Sequence, residues 1–291
     1  MKRKQGVTEM KMSFIGSGKV GSTAAFAALL KFDIDEMVMF DIIENLAKGE
    51  ALDLGHAAVG LGKKTKIIGT SDYTDTKNSD IFVISAGFPR AVDTKDRLEL
   101  TEKNASIIRD VCKNIKRITK KDATFIVITN PVDAMTYTAY KSGLPKQRCI
   151  GMGGSLDTHR HTFYSGARSA KIIGEHGEGM IVLGTGEKNR TALERTRNAG
   201  RELIQLKGYT NFGPAAAIAE IIDAVINNRK AELVVSAVLD GEFGISGVAM
   251  QVPCIIGRNG IEKIDEKSLS NENKKELKGL AKKAADALKN I

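Results

Sequence analysis

The feature that most constrains this chain is a glycine-rich turn near its start, with the pattern Gly16-x-Gly18-x-x-Gly21. The turn follows a short apolar run at 11–15 and precedes an alanine- and leucine-rich stretch at 20–31 that has a helical pattern. G-x-G-x-x-G between a strand and a helix is typical of a dinucleotide-binding βαβ unit. The first glycine permits the sharp turn, the second lets a pyrophosphate approach the backbone, and the third lets the helix pack closely.

An acidic residue completes this nucleotide-binding pattern. Asp41 ends the next predicted strand, 20 residues after Gly21. A carboxylate there can bind both ribose hydroxyls and repels a 2′-phosphate, which favours NAD over NADP. The free N–H groups at the start of the following helix attract phosphates. We therefore expect NAD as the cofactor; the alternative is a glycine-rich turn that binds no ligand. The expected contact residues are Gly16, Gly18, Val20, Gly21, Asp41 and Asn130.

The order of predicted elements indicates an α/β fold. The first half alternates strands and helices, which predicts a doubly wound parallel sheet (Rossmann) covered on both faces. The second half predicts a mixed α+β catalytic domain, so we divide the chain into 1–150 and 151–291. The predicted strands are 11–15, 36–41, 80–85, 123–128, 148–150, 232–239 and 248–256. The predicted helices are 20–31, 44–58, 98–118, 155–166, 186–206, 213–228 and 269–289.

Composition narrows the class of protein. No run of about 18 apolar residues is present, so we expect no membrane span. No apolar stretch of signal-peptide length follows the basic start, and the three cysteines lie far apart, which favours a cytoplasmic protein without a metal centre. The net charge of +9 is spread among acidic residues. It therefore favours attraction of an anionic substrate over nucleic-acid binding.

A histidine and an acid/arginine pair are the strongest catalytic candidates. His176 is one of four histidines and lies within a glycine-framed Gly-Glu-His-Gly segment. Asp157 and Arg160 share one face of a predicted helix, for which Ser155 is a candidate N-cap. A carboxylate can orient a histidine, and a guanidinium can hold a substrate carboxylate through two hydrogen bonds. The pattern favours oxidation of a 2-hydroxy acid; the alternatives are a surface ion pair and a surface histidine.

Two further segments carry polar groups that could meet a substrate. Asn130 closes a predicted strand before a proline, at the carboxyl end of the sheet where ligands bind in doubly wound folds. The loop at 87–97 contains Arg90 and Arg97 and could form a lid over an anionic substrate. The alternatives are a turn asparagine and a solvated charged loop.

Taken together, these motifs resemble the lactate/malate dehydrogenase family, most closely its lactate-dehydrogenase-like malate dehydrogenases. The resemblance extends over nearly all of the chain after residue 10. The matching segments, in order, are the glycine turn with Asp41, Ser85-Ala86-Gly87-x-Pro89-Arg90, Thr129-Asn130-Pro131-Val132-Asp133, Leu156-Asp157-x-x-Arg160, Ile173-Gly174-Glu175-His176-Gly177, Leu206-Lys207-Gly208, Phe212-Gly213-Pro214-Ala215, Gly241-Glu242-Phe243-Gly244-Ile245 and Gly257-Arg258-Asn259-Gly260-Ile261-Glu262.

The resemblance implies a role for each candidate residue. His176 is expected to be the acid/base and Asp157 its partner. Arg160 is expected to bind the C1 carboxylate of the substrate, and Arg97 to polarise the reacting carbonyl. Asn130 is expected to position the reacting oxygen and the nicotinamide. A homo-oligomer, either a dimer or a tetramer, is also expected.

Substrate choice is expected to depend on the lid. Arg90 occupies the position that, in the family, distinguishes malate from lactate, and Thr210 falls beside the pocket. The lid here is one residue longer than usual, so either Arg90 or Lys95 faces the second carboxylate. The expected reaction is (S)-malate + NAD+ = oxaloacetate + NADH + H+. The near alternative is lactate or another 2-oxo acid.

Two further hypotheses place the chain in different classes of protein. Tyr137-x-x-x-Lys141 is a pair that short-chain dehydrogenases use, although their glycine pattern is usually spaced differently. The altered lid, together with shortened segments before His176 and before 206, leaves open a non-catalytic dinucleotide-sensing protein, because a fold alone does not fix an activity.

Overall fold

The computed structural model describes residues 9–88, 97–184 and 186–288, which form one mixed sheet flanked by helices. The strands of the described residues are β1 (Lys11–Ile15), β2 (Glu36–Phe40), β3 (Lys66–Thr70), β4 (Ile81–Ile84), β5 (Thr124–Val127), β6 (Cys149–Gly151), β7 (Lys171–Gly174), β8 (Met180–Leu183), β9 (Ala231–Asp240), β10 (Ser246–Gly257) and β11 (Gly260–Ile264). The α-helices are α1 (Lys19–Lys31), α2 (Glu44–Gly60), α3 (Arg97–Ile115), α4 (Val132–Lys141), α5 (Gly153–Ser165), α6 (Glu187–Lys207), α7 (Phe212–Ile226) and α8 (Asn271–Leu288).

The first half of the chain forms the expected doubly wound parallel sheet. Its strands pair in the order β3-β2-β1-β4-β5-β6, all parallel. Alternate side chains of one strand enter two different hydrophobic clusters: Ile81 and Val83 lie in one, and Phe82 and Ile84 in the other. Both faces of the sheet are therefore covered by helices, which explains why these strands are continuously apolar in sequence.

The second half continues the same sheet with antiparallel pairing. Gly151 at the end of β6 pairs with Ser236 of β9, and β9 forms a long hairpin with β10. β10 also pairs with β7 and with β11, and β7 pairs with β8. This is the expected mixed α+β arrangement. The division at residue 150 stays a prediction, because hydrogen-bonded strands run across it.

The sequence patterns missed four short strands and misplaced one helix cap. The missed strands are β3, β7, β8 and β11, which have four or five residues each. Ser155 is not the N-cap of α5, because the helix begins at Gly153 after Met152. The Ser155 hydroxyl instead donates to the Val234 carbonyl at 3.1 Å, which fastens α5 to β9.

The carboxyl ends of the parallel strands meet at one edge of the sheet. The Ser85 hydroxyl, just after β4, donates to the Gly16 carbonyl after β1 at 3.0 Å. The Thr129 hydroxyl, just after β5, donates to the Ala86 carbonyl at 2.7 Å. The turns that follow β1, β4 and β5 are thus linked side by side. Within the described ranges, no helix combines the length and apolar character that a bilayer span requires.

Candidate active site

The glycine turn after β1 has space for a ligand at one of its three glycines. Gly16 has φ of +102°, and a Cβ on it would lie 2.7 Å from the Ala86 nitrogen. A Cβ on Gly21 would lie 1.9 Å from the Gly16 carbonyl oxygen. The protein's own backbone therefore requires glycine at these two positions. A Cβ on Gly18, in contrast, would meet no atom within 4 Å. Packing within the chain does not explain Gly18, and the open space there fits a pyrophosphate.

The helix that follows presents its N-terminus to this space. Gly18 is the N-cap of α1 and supplies no capping side chain, and the first turn contains no acidic residue. The first N–H groups of a helix have no partner within the helix, so they are available to an anion. Val20, in that first turn, is half-buried and packs against the core. This geometry suits the phosphates of a dinucleotide.

Asp41 connects the glycine turn with the end of β2. Its Oδ2 accepts a hydrogen bond from the Ser17 backbone N–H at 2.8 Å, and its Oδ1 accepts one from the Ile43 N–H at 3.0 Å. The side chain is half-buried, and a carboxylate has lone pairs beyond those two. These contacts hold Asp41 beside the turn, where it can accept hydrogen bonds from ribose hydroxyls.

His176 and Asp157 form a direct pair, although 19 residues separate them in sequence. His176 lies in the turn between β7 and β8, and its Nδ1 is 2.7 Å from Asp157 Oδ2. Asp157 lies on α5 with a side chain that is 0% exposed, and the His176 side chain is 15% exposed. Since a carboxylate only accepts, Nδ1 donates to Asp157 and Nε2 is left for a substrate.

Arg160 lies one turn after Asp157 on α5 and joins the pair. Its Nη1 is 3.5 Å from Asp157 Oδ1, and its side chain is 13% exposed. Asp157 and Arg160 are therefore not a solvated surface pair. A guanidinium has five N–H donors in a planar fork, so most of them remain available for a carboxylate ligand.

The surroundings of His176 set its affinity for a proton. Burial alone would lower the pKa of His176, but the negative charge and hydrogen bond of Asp157 outweigh burial and raise this pKa above its ordinary value. Arg160 opposes the rise, and Asp133 supports it. The pair can therefore hold a proton near neutral pH and transfer it through Nε2.

Two residues that we did not predict as functional fix the position of His176. Asp133, at the start of α4, accepts a hydrogen bond from the His176 backbone N–H at 2.8 Å. Gly153, the first residue of α5, leaves room for the ring, because a Cβ there would lie 3.0 Å from both Cβ and Cγ of His176. Asp133 belongs to the Thr129–Asp133 motif, and Gly153 begins a pair of glycines. Neither pattern in the sequence indicates that these residues contact His176.

Asn130 lies where the sequence places it, at the end of β5, with an exposed side chain and a cis peptide bond to Pro131. Its carbonyl accepts a hydrogen bond from Asn104 Nδ2 at 2.7 Å. The other side of that buried amide, Asn104 Oδ1, accepts from the Phe88 N–H at 2.8 Å. Asn104, which the sequence did not single out, thus joins the end of β5 to the start of the expected lid.

Thr210 lies in the short loop between α6 and α7, next to the nucleotide-binding helix. It is half-buried. The adjacent Asn211 donates from Nδ2 to the Thr23 hydroxyl of α1 at 2.9 Å and accepts from Lys207 Nζ at 2.7 Å. This loop is therefore fastened to α1, on the side of the sheet edge that carries the glycine turn.

The expected lid residues fall largely outside the described residues. Arg90 and Lys95 lie in the segment 89–96, which is not described. Arg97 begins α3, and its side chain also lies outside the described atoms. Their roles stay predictions.

The other three histidines have structural or surface settings. His161 is fully buried, and its Nε2 is 3.3 Å from Asn189 Oδ1. His159 pairs with Glu220 at 3.1 Å on the surface, and His56 is exposed on α2. In the described ranges, no group of three or more His, Cys, Asp and Glu side chains is arranged to hold a metal.

The tyrosine of the short-chain-dehydrogenase hypothesis lies in another setting. Tyr137 is half-buried within α4, and its hydroxyl is 3.8 Å from the position of a Cβ on Gly247. The hydrogen bonds that organise the site join His176 and Asp157 to Asp133, Arg160 and Gln251 instead.

Comparison with known proteins places both halves of the chain in one family. Residues 10–151 match the family model of the lactate/malate dehydrogenase NAD binding domain. Residues 158–291 match that of the lactate/malate dehydrogenase alpha/beta C-terminal domain. The Tyr-x-x-x-Lys pattern is therefore a coincidence within this family.

Similar proteins extend over the whole chain. A malate dehydrogenase of Archaeoglobus fulgidus is 42% identical, over 97% of this chain and 99% of its own. A solved structure of malate dehydrogenase from that organism in complex with NADH has a TM-score of 0.90 at 41% identity, covering 96% of this chain and 99% of the other. The malate dehydrogenase of Aeropyrum pernix has a TM-score of 0.88 at 32% identity, covering 96% and 97%. With its fold, its glycine turn and its buried histidine–carboxylate pair, the chain belongs to the lactate/malate dehydrogenase family.

Proposed function

We propose that this protein is an NAD-dependent malate dehydrogenase that interconverts (S)-malate and oxaloacetate. The observation that carries the proposal is the buried cluster of His176, Asp157 and Arg160 on the sheet edge that also holds the glycine turn. Relatives named malate dehydrogenase, one of them solved in complex with NADH, support both the substrate and the cofactor.

The cofactor is held by the glycine turn and Asp41. Gly16, Gly18, Val20 and Gly21 would hold its pyrophosphate, and Asp41 would bind the ribose hydroxyls. When bound, NAD supplies the carbon that accepts a hydride from the substrate. Asn130, at the end of β5, positions the reacting oxygen and the nicotinamide.

The protein's own side chains hold the substrate and move its proton. Arg160 binds the C1 carboxylate through parallel hydrogen bonds. His176 Nε2 takes the hydroxyl proton of malate and returns it to oxaloacetate in the reverse direction. Asp157 orients the imidazole and stabilises its charged form, and Arg97 stabilises negative charge on the oxygen. We assign Thr210 to the side of the substrate pocket.

Substrate specificity comes from the lid. Arg90 pairs with the C4 carboxylate of malate as the loop closes and excludes water. An arginine is suited to this because its fork matches a carboxylate, whereas lactate has no second carboxylate to pair with. Lys95 is the alternative cation in the lengthened loop.

The experiment that tests this proposal is oxidation of NADH with oxaloacetate and with pyruvate, followed at equal concentrations. Oxaloacetate should be the better substrate by kcat/KM. Arg90→Gln should shift the preference towards pyruvate, whereas Lys95→Gln should leave it unchanged. The reverse result would assign the second carboxylate to Lys95. NADH binding without turnover of either substrate would favour a dinucleotide-sensing protein.

We further propose that the protein is a cytoplasmic homo-oligomer. Large apolar side chains are exposed on α2 and α5: Leu52 is 64% exposed, Val59 80% and Phe163 82%. Leu52 and Val59 are seven residues apart on α2 and so share one exposed apolar face. Such a face marks an interaction surface, and here the proposed partner is a second copy. The three cysteines are free and buried, which supports a reducing compartment.

A further inference from the structure

A buried amide lies directly behind the histidine–aspartate pair. Gln251, on β10, has a relative exposure of 0%. Its Nε2 is 3.2 Å from Asp157 Oδ2, the same oxygen that lies 2.7 Å from His176 Nδ1. One carboxylate oxygen therefore receives two donors, one from the imidazole and one from the amide, while Arg160 approaches the other oxygen at 3.5 Å.

The position of Gln251 is set by the sheet. Its Cα pairs with Gly174 of β7, which precedes His176 by two residues, and with Ser236 of β9 on the other side. α5, which carries Asp157, is fastened to β9 through the Ser155 hydroxyl. The backbone of Gln251 is therefore paired with a strand on each side and has little freedom to move. From this fixed position its side chain contacts the Asp157 carboxylate.

Packing alone does not account for an amide at this position. Its strand neighbours Met250 and Val252 are fully buried and apolar. The Oε1 atom of Gln251 has no hydrogen-bond partner among the described residues, so the amide is buried with half of its bonding capacity unused. A buried polar group without full partners is destabilising compared with an aliphatic side chain of similar size. The hydrogen bond to Asp157 is the interaction that the amide makes and an aliphatic side chain cannot make.

We propose that Gln251 is a positioning residue for the proton-transfer step, whose amide holds the Asp157 carboxylate in the orientation that faces His176. This inference rests on the proposed dehydrogenase function for its kinetic consequences and on geometry alone for its effect on the imidazole. Without the amide donor, Asp157 Oδ2 loses the contact that opposes rotation of the carboxylate away from His176. The charged groups that also act on His176 are Arg160 from α5 and Asp133 from α4, and Glu175, from the turn that carries His176, acts on Asp133.

Two substitutions by side chains of similar length test whether Gln251 positions Asp157 or only fills space. Gln251→Met keeps the volume and removes the donor. Gln251→Glu keeps the shape, and it donates to Asp157 only when its carboxyl group is protonated, because two adjacent carboxylates share one proton. Gln205→Met, at an exposed position on α6, is the matched control for the same chemical change.

The first measurement is the pH titration of the His176 ring by NMR, which requires no turnover. Gln251→Met should lower the His176 pKa, because a misaligned Asp157 supports the imidazolium less well. Loss of the amide dipole with Asp157 still in place would instead raise this pKa, since the amide turns its positive end towards the pair. A raised or unchanged His176 pKa therefore overturns the proposal.

The second measurement is the kinetics of oxaloacetate reduction. Gln251→Met should lower kcat roughly tenfold while the dissociation constant of NADH and the KM for oxaloacetate stay within twofold. Gln251→Glu should approach the wild-type kcat at acidic pH. As the pH rises, the kcat of this variant should fall at a lower pH than the kcat of the wild type. Gln205→Met should match the wild type throughout.

The remaining outcomes are also decisive. If kcat falls by the same factor in both Gln251 variants at every pH and the Tm is lowered, Gln251 has a structural role and the proposal is overturned. If Gln251→Met does not fold, the pH dependence of Gln251→Glu decides in the same way. Wild-type protein that turns over no 2-oxo acid would refute the proposed function, while the NMR titration would still test the Gln251–Asp157–His176 coupling.

Discussion

At the scale of single residues, the site depends on the balance between burial and one negative charge. Burial disfavours the charged imidazole of His176, and the Asp157 carboxylate at 2.7 Å more than compensates. Asp157 itself is fully buried and receives donors from three side chains, including Arg160 and Gln251. A buried charge is tolerated where such partners surround it. The raised pKa of His176 follows from this arrangement.

The first prediction concerns that charge. Reduction of oxaloacetate requires protonated His176, so the wild-type rate should decline only above the raised pKa of His176. Asp157→Asn removes the charge and leaves the effect of burial, which lowers the His176 pKa below its ordinary value of about 6.5. The alkaline limb of kcat/KM should move to lower pH, and the maximum should fall roughly a hundredfold or more.

The measurement is the pH profile of oxaloacetate reduction for both proteins at saturating NADH. The exposed Asp53→Asn on α2 provides a control with the same chemical change. An alkaline limb that does not move in Asp157→Asn would contradict the assigned cause of the raised His176 pKa.

At the scale of elements, the turn between β1 and α1 shows two different reasons for glycine. The chain's own backbone excludes a side chain at Gly16 and at Gly21, whereas space is open at Gly18. The first and third glycines of the pattern are therefore requirements of folding, and we expect the second to serve ligand binding. The sequence motif does not distinguish these roles, because both positions carry the same residue.

The second prediction compares substitutions within this turn. Gly18→Val should leave the Tm within about 2 °C of the wild type, because its Cβ meets no protein atom within 4 Å, but it should weaken NADH binding at least roughly tenfold. Gly21→Ala should lower the Tm clearly, since its Cβ would overlap the Gly16 carbonyl oxygen.

Thermal unfolding and NADH fluorescence titration measure the two effects separately. A Gly18→Val variant whose Tm falls as far as that of Gly21→Ala would contradict the different roles assigned to these two glycines. Gly279→Ala on α8, where a Cβ also meets nothing within 4 Å, is a control for the general effect of replacing a helical glycine.

At the scale of the whole molecule, a single sheet joins the nucleotide-binding half to the catalytic half. β6 pairs with β5 on one side and with β9 on the other, so the strand that leads into α5 belongs to both halves. The site forms where the carboxyl edge of the parallel strands meets the β7–β8 turn that carries His176. The geometry of the site therefore depends on pairing between strands that are remote in sequence. For the same reason, ionisation of buried groups in the site affects the stability of the whole fold.

The third prediction concerns this link through Asp133. Burial raises the pKa of Asp133 to about 6 from an ordinary 3.8, against the lowering effect of the His176 N–H. Between these two values the folded protein binds the proton more tightly than the unfolded chain, so the free energy of unfolding falls as the pH rises from about 4 to 6. At about 1.4 kcal/mol per pKa unit, this group contributes a loss of about 3 kcal/mol.

Asp133→Asn removes the titrating group while its carbonyl oxygen can still accept from the His176 N–H. The difference in free energy of unfolding between the variant and the wild type should change in favour of the variant from pH 4 to pH 7. Urea unfolding at several pH values measures it. A difference that does not vary with pH would contradict the raised pKa of Asp133.

The fourth prediction concerns assembly. Leu52 and Val59 are seven residues apart on α2, so they share one exposed helix face. Replacing both with Glu should convert the oligomer into smaller species, because like charges would face each other across a self-complementary contact. Light scattering coupled to size-exclusion chromatography gives the mass. Ala287→Glu on α8 is the control, and a monomeric wild type would contradict the proposal.

The sequence alone determined the class of fold and NAD as the cofactor, and it predicted the cofactor site and the catalytic histidine. These depend on local patterns: strands with continuous apolar runs, a glycine spacing that, between a strand and a helix, is typical of a dinucleotide-binding turn, and Asp41 at a fixed distance from it. The sequence did not predict β7 or the start of α5. β7 pairs with β10, and Ser155 bonds to β9 instead of capping α5, so both outcomes depend on contacts that are remote in sequence.

Only the tertiary structure decided which groups surround the histidine. Asp133, Gly153 and Gln251 lie 43, 23 and 75 positions from His176 in sequence, and no local pattern relates them to it. Pairing of β10 with β7, together with packing of α4 and α5 at one edge of the sheet, brings them within contact of the His176–Asp157 pair. Residue types along a chain establish which chemistry is available, whereas the strength of a buried charge interaction depends on distances and burial that arise only when remote segments pack together.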